Sequence, residues 1–236
     1  MPFLLGIDQG TTLTTAVVVD ERGTLVANHS VPLPVRFPRP DWVEQDPWTI
    51  VETVRAAAAP LLEQFEIAAV GFDNQGETFL LWDAASGQPL TPAIVWQDKR
   101  AQALCETLAK SIDSKWLQQK TGLRLDTYFS APKVRVLLEQ DAELRRAVET
   151  GRARFGTPES WVIWQLTHGR VHVTDPSTAS RTLLFDLKRL QWDDDLLALF
   201  GVPRVCLPEV VPSAGYVGEL DFGRAHTYPL YALLVD

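Results

Sequence analysis

Leu4-Leu5-Gly6-Ile7-Asp8-Gln9-Gly10-Thr11-Thr12, continued by Leu13-Thr14-Thr15-Ala16-Val17-Val18-Val19-Asp20, is the stretch that decides how this chain is read. An apolar, β-prone run leads into an acid, a glycine and two hydroxyls, and a second β-branched run leaves toward the turn Glu21-Arg22-Gly23. Strand, polar turn and strand make a hairpin rather than a strand feeding a helix. The common phosphate loops need a helix N-terminus and, in the Walker type, a Gly-Lys-Ser/Thr ending, so both are excluded. A hairpin tip of this kind offers backbone N–H groups and threonine hydroxyls to a phosphate chain, with Asp8 beside it able to hold a hydrated Mg²⁺. An ordinary N-terminal hairpin with a polar tip fits the same local pattern.

Bulk properties narrow the field. A chain of 236 residues holds one large domain or two small ones, and 46% hydrophobic with 22% charged residues is the balance of a soluble globular protein. A net charge of −8 argues against nucleic acid, which asks for a basic stripe. Cys105 and Cys206 lie far apart without metal-ligand spacing and read as buried thiols of a cytoplasmic protein. Leu4 and Leu5 give way at once to Asp8, so no signal peptide is read, and no apolar run is long enough to span a bilayer. His29, His168, His172 and His226 share no ligand spacing.

Outward from the hairpin, Thr24 to Asn28 reads as a third antiparallel strand, and the five prolines from Val31 to Pro47 read as an irregular surface crossing. Asp46-Pro47-Trp48 is a helix start, and apolar residues recur at helical spacing to Phe65, with Pro60 expected to kink or shorten the helix. Ile67–Phe72, Thr78–Trp82 and Ala93–Trp96 read as buried strands, followed by a mainly helical block from Arg100 to Leu166. Short strands are expected at Val171–Val173 and Leu183–Phe185. Asp193-Asp194-Asp195 reads as the cap and first turn of a helix, not as a cation site. The pattern predicts an α/β domain with a mixed sheet and a helical insertion. The chain stops on Asp236 at the end of the apolar run from Tyr228, so a continuation beyond it is expected.

Several segments, in order, resemble one family. Gly6 to Thr12 resembles the first phosphate motif of the FGGY carbohydrate kinases, and glycerol kinases in particular. Gly71-Phe72-Asp73-Asn74-Gln75-Gly76-Glu77-Thr78 with Leu81-Trp82-Asp83 is similar to the family's polyol-binding strand pair. Ala93 to Arg100, Lys120 to Leu123, Tyr128 to Ala131, Phe155-Gly156-Thr157 with Trp161, Thr174-Asp175, Ser180 to Phe185, Trp192 to Asp194 and Leu207 to Val210 continue the likeness.

The resemblance implies an actin-like (ribonuclease H-like) ATPase fold. Residues 1–236 would be the N-terminal, substrate-binding domain, with the adenosine-binding domain outside this chain and little activity in the fragment alone. It implies ATP-dependent phosphorylation of a small polyol, most simply glycerol to glycerol 3-phosphate, with ATP and Mg²⁺ as cofactors and family-like homo-oligomers. Residue by residue, Asp8 would hold Mg²⁺ through water; Gly10, Thr11, Thr12 and Leu13 would cradle the phosphates. Gln75, Gly76, Glu77, Trp96 and Tyr128 would line the polyol, and Asp236 would be both substrate contact and general base.

Two departures stand out. The family usually carries an arginine where this chain has Gly76, and another just after the phosphate turn where it has Thr15, with two serines at Leu13 and Thr14. A charge-assisted hydrogen bond to a hydroxyl or phosphate contributes roughly 1.5–3 kcal/mol. The departures therefore leave open a kinase for another polyol or ketose filling the space above Gly76, or a polyol-binding relative with weak or no catalysis. An actin-like chaperone or filament ATPase shares the hairpin, but the motifs at Trp82 and Trp96 count against it.

Overall fold

The computed structural model describes residues 2–235. Its centre is a six-stranded mixed sheet: β1 (Phe3–Gln9), β2 (Leu13–Val19), β3 (Leu25–Pro32), β4 (Ile67–Asn74), β5 (Ala214–Leu220) and β6 (Tyr228–Val235), in the order β5-β6-β4-β1-β2-β3. The first three strands form an antiparallel meander, β4 lies parallel to both β1 and β6, and β5 closes the other edge antiparallel to β6. The opening hairpin is therefore real, with Gln9 facing Thr14 and Asp8 facing Thr15.

The period of two decides which face is which. Leu5, Ile7, Ala16, Val18, Val70, Phe72, Leu230 and Leu233 point to one side and are buried there in one core with helix α1 (Pro47–Gln64) and the helix Pro158–Leu166. Asp46 caps α1 by accepting from the N–H groups of Trp48 (2.9 Å) and Thr49 (3.1 Å), with Pro47 at the first helical position. Pro60 lies inside α1 and does not end it, so of the two expected effects, a kink or an early end, the early end does not occur. Ile50, Val54, Ala57, Ala58 and Leu61, packed on the sheet, hold the helix across the missing N–H.

The remaining helices are α2 (Gln102–Leu108), α3 (Ser114–Thr121), α4 (Ser130–Gln140), α5 (Ala142–Glu149), α6 (Pro158–Leu166), α7 (Pro176–Ala179) and α8 (Asp194–Phe200). Most build a second apolar core around Phe79, Phe155, Phe185, Leu196 and Phe200, beside the sheet core. Asp193 caps α8 through the Leu196 N–H at 3.0 Å, as the acidic run predicts.

Several boundaries differ from the sequence reading. Leu80–Asp83 and Ala93–Ile94 leave the main sheet and pair with Ala153–Gly156 and Glu44–Gln45 instead. The proline-rich crossing thus contains a short strand, and β3 runs on to Pro32. Leu183 is left-handed (φ 63°) after the 3-10 turn Ser180–Thr182, so the expected strand there shrinks to Phe185–Asp186. The second short strand is Val173–Thr174. Trp82 is fully buried against Trp161, Trp164 and His172, and so belongs to the core rather than to a binding wall. Both cysteines are buried and unpaired.

Candidate active site

The hairpin tip is built to hold its shape without a helix. The Gly10 N–H donates to the Leu13 carbonyl at 3.0 Å, and a side chain at Gly10 would press its Cβ to 3.0 Å from that same oxygen. Gln45 Nε2 donates to the Thr11 carbonyl (2.6 Å) and the Leu33 N–H to the Thr12 carbonyl (2.9 Å). Those bonds spend the tip's carbonyls on the protein and leave the exposed rim to the Thr12 side chain. Leu13 points an exposed aliphatic chain outward and adds no side-chain donor. Asp8, next to the last residue of β1, lies on the sheet face opposite α1, side by side with Asp73 of β4 and Thr15 of β2. Thr14 turns inward to Thr53 (2.9 Å), and Thr15 meets Ser30 at 3.0 Å. The position beside Asp8 where the family carries an arginine thus bears a short neutral hydroxyl.

One contact joins this tip to the polyol-type residues. The indole N–H of Trp96 donates to Thr11 Oγ1 at 2.9 Å. Trp96 is half-buried, its ring 5.2 Å from that of Tyr128, whose own ring lies 5.3 Å from Phe129. Tyr128 is 37% exposed, so the aromatic pair forms a wall with one open side. Gln75 is buried and has a bracing position: its Nε2 donates to Gln45 Oε1 (3.0 Å) and Gln9 Oε1 (3.2 Å), and its Oε1 accepts from Thr78 Oγ1 (2.8 Å). Thr78 in turn receives the Trp96 N–H at 3.2 Å. Asp98 is fully buried and holds the loop, accepting from the Val43 N–H (2.7 Å) and from Arg100.

Glu77 faces the same region with its carboxylate buried. Burial pushes that carboxyl above the usual range, while the Arg181 guanidinium pulls it back down. Arg181 Nε donates to Glu77 Oε1 at 2.7 Å across 104 residues of sequence. Gly76 is closed over rather than open: a Cβ there would sit 2.6 Å from Val235 Cγ2 and 3.0 Å from Arg181 Cγ. These two side chains stand over Gly76, in the space that one of the alternatives left open by the sequence gave to a different substrate.

Two participants went unrecognised in the sequence. One is Arg181, whose Ser-Arg-Thr segment matched the family but gave no hint of reaching Glu77. The other is Lys133, fully buried and donating to the carbonyls of Tyr128 (3.1 Å), Val95 (3.2 Å) and Trp96 (3.3 Å). Burial pulls its ammonium down to about 7. A lysine three residues after Ser130 and four before Leu137, on the buried face of α4, was the available signal. Asp236 lies outside the described residues.

Among the described residues no group of three or more His, Cys, Asp or Glu could hold a metal. The Asp8 carboxylate, beside a phosphate-type turn, fits Mg²⁺, which keeps several waters and takes few protein ligands. No helix among the described residues is long and apolar enough to cross a membrane.

The family described as FGGY carbohydrate kinases, N-terminal domain, matches residues 3–230. The glycerol kinase of Paracidovorax citrulli is 50% identical over 226 residues, covering 94% of this chain and 45% of that protein. That of Delftia acidovorans is 48% identical over 229 residues, covering 95% and 45%. Among solved structures, Plasmodium falciparum glycerol kinase with ADP superposes with a TM-score of 0.95 at 30% identity, over 100% of this chain and 49% of that one. A xylulose kinase from Lactobacillus acidophilus shares the fold at a TM-score of 0.88 and 22% identity, covering 100% and 48%. The chain spans about half the length of the curated relatives it matches. With the family model matched over residues 3–230, this chain belongs to the FGGY family of carbohydrate kinases.

Proposed function

We propose that this chain is the substrate-binding half of a cytoplasmic kinase that transfers the γ-phosphoryl group of ATP to a terminal hydroxyl of a small polyol, most simply glycerol. The observation that carries the reading is the Trp96–Thr11 hydrogen bond, because it puts the polyol-type wall against the phosphate-type turn. Phosphoryl transfer needs positioning and charge stabilisation more than covalent chemistry, so adjacency of those two surfaces is the first requirement. In this reading Thr11 and Thr12 present donors to the phosphates, Gly10 shapes the turn that cradles them, and Asp8 holds Mg²⁺ through water. When bound, the ion neutralises charge on the phosphate oxygens. Glu77 accepts from a polyol hydroxyl, Tyr128 offers its phenol, and Trp96 packs on the carbon chain. Asp236 takes the proton of the attacking hydroxyl as general base. Adenosine recognition is assigned to a second domain outside these residues.

The test is ADP release by the full-length gene product, measured by a coupled assay against glycerol, other polyols and ketoses. Turnover with glycerol at an enzymatic rate is expected, and Asp236→Asn should abolish it while glycerol still binds. Turnover only with a ketose would replace the substrate. Saturable polyol binding with no turnover on any substrate would replace the kinase by a binding protein.

A further inference from the structure

We propose that Arg181 is a substrate-binding residue of this site. In this role it donates from its guanidinium to a hydroxyl of the polyol next to the one Glu77 accepts from. The inference rests on the polyol reading above and adds to it a residue from a different element of the chain.

The placement is specific. The arginine's stem fills the space over Gly76, its Cγ at 3.0 Å from where a Cβ would stand, with Val235 closing the other side. Its Nε is fixed on Glu77 Oε1 at 2.7 Å, and its guanidinium carbon lies 5.3 Å from the centre of the Phe129 ring, next to Tyr128. Those contacts orient the fork. Nε is used, and the two terminal nitrogens make no hydrogen bond among the described residues. The side chain is 30% exposed whereas that of Glu77 is 6% exposed, so the fork lies on the solvent side of the carboxylate.

Chemistry makes the pair complementary to a vicinal diol. An ionised carboxylate only accepts, so Glu77 can take one hydroxyl proton but cannot satisfy a hydroxyl oxygen. A guanidinium only donates, in a rigid planar fork. Held side by side, the two offer one acceptor and several donors to adjacent hydroxyls. The other cations nearby are committed: Lys133 spends its three donors on three carbonyls, and Arg100 is bound to Asp98 and Glu44. Gly76 has the matching role. Any side chain there collides with the Arg181 stem, so the glycine is what allows an arginine from residues 180–182 to reach Glu77.

The experiment is calorimetric titration of the full-length protein with glycerol, propane-1,2-diol and propane-1,3-diol, for the unaltered protein, Arg181→Met and Arg181→Lys, with thermal unfolding followed in parallel. Loss of a charge-assisted hydrogen bond predicts about a ten- to hundredfold weaker glycerol affinity in Arg181→Met. The preference for glycerol over the diol lacking the contacted hydroxyl should shrink by the same factor. Arg181→Lys keeps the charge without the fork and should fall between. An equal loss for all three compounds would mark a structural role and overturn the proposal, as would unchanged glycerol affinity in both variants. Glycerol turnover alongside unchanged affinity leaves the kinase reading intact and removes only this one. No saturable polyol binding by the unaltered protein removes both.

Discussion

Replacing Lys133 by Met should destabilise the protein more at pH 9 than at pH 7. The lysine is fully buried, and its ammonium is pulled from 10.5 down to about 7 by burial. In the unfolded chain it stays protonated up to the ordinary value. Between pH 7 and 10.5 the unfolded state therefore binds more protons, and stability rises with pH; below about 7 the full penalty for the buried charge is present. The difference between the two states amounts to about 2 kcal/mol between pH 7 and pH 9. Methionine fills the same stem volume but leaves the carbonyls of Val95, Trp96 and Tyr128 without their donor. The Val95 bond is buried and the other two are partly buried, so the lost bonds cost about 2–4 kcal/mol, and removing the buried charge returns less of that at pH 9, where its penalty is about 2 kcal/mol smaller than at pH 7. At pH 7 the removed charge offsets most of that loss. Urea unfolding followed by tryptophan fluorescence at both pH values reads the difference, provided the slope m is unchanged. An equal destabilisation at the two pH values, or a larger one at pH 7, would refute the reasoning.

Other expectations follow from the same geometry. Trp96→Phe keeps the ring and removes the donor to Thr11, so glycerol affinity should fall about three- to tenfold with little change in stability; calorimetric affinity equal to the unaltered protein contradicts this. Gly76→Ala places a methyl 2.6 Å from Val235 and 3.0 Å from the Arg181 stem, costing about 1–3 kcal/mol by overpacking. A denaturation midpoint that stays put or rises would show that the space is open. Glu159 is fully buried, accepts from Thr157 (2.6 Å) and Thr174 (2.7 Å), and has its carboxyl pushed up to about 7 by burial. Its raised folded value means stability is fully present below the ordinary 4.5 and lost as pH rises through 7. From pH 5 to pH 8, Glu159→Gln should therefore gain about 2–3 kcal/mol on the unaltered protein, and a difference that does not move with pH rules the assignment out.

What could be read from sequence divides along physical lines. The hairpin, α1 with its Asp46 cap and the acidic start of α8 were legible, because period and capping chemistry are local. Partners of Leu80–Asp83 and Ala93–Ile94 were not, since short buried runs carry no signal for which strand they meet. Strand β5 was missed, its two glycines and exposed Tyr216 concealing the edge of a sheet. In the candidate site, Glu77, Trp96 and Tyr128 were singled out through motif likeness, and the structure sets the two aromatics against each other. The amide of Gln75 braces the turn, a set of contacts that the motif likeness does not encode. Arg181 and Lys133 act through contacts 104 and 37 residues away, which no local pattern encodes.

The sheet order carries one further consequence, for how the chain is made. Strand β4 lies in the middle, with β1 on one flank and β6 on the other, so the centre of the sheet is joined by the earliest and latest parts of the chain. As residues emerge from the ribosome in order, β4 has an unpaired parallel edge until residue 235 is free to dock. Non-local parallel pairing is slow, and an open apolar edge invites pairing with another chain. Shortening this protein within β6 should therefore yield aggregates rather than a smaller folded domain.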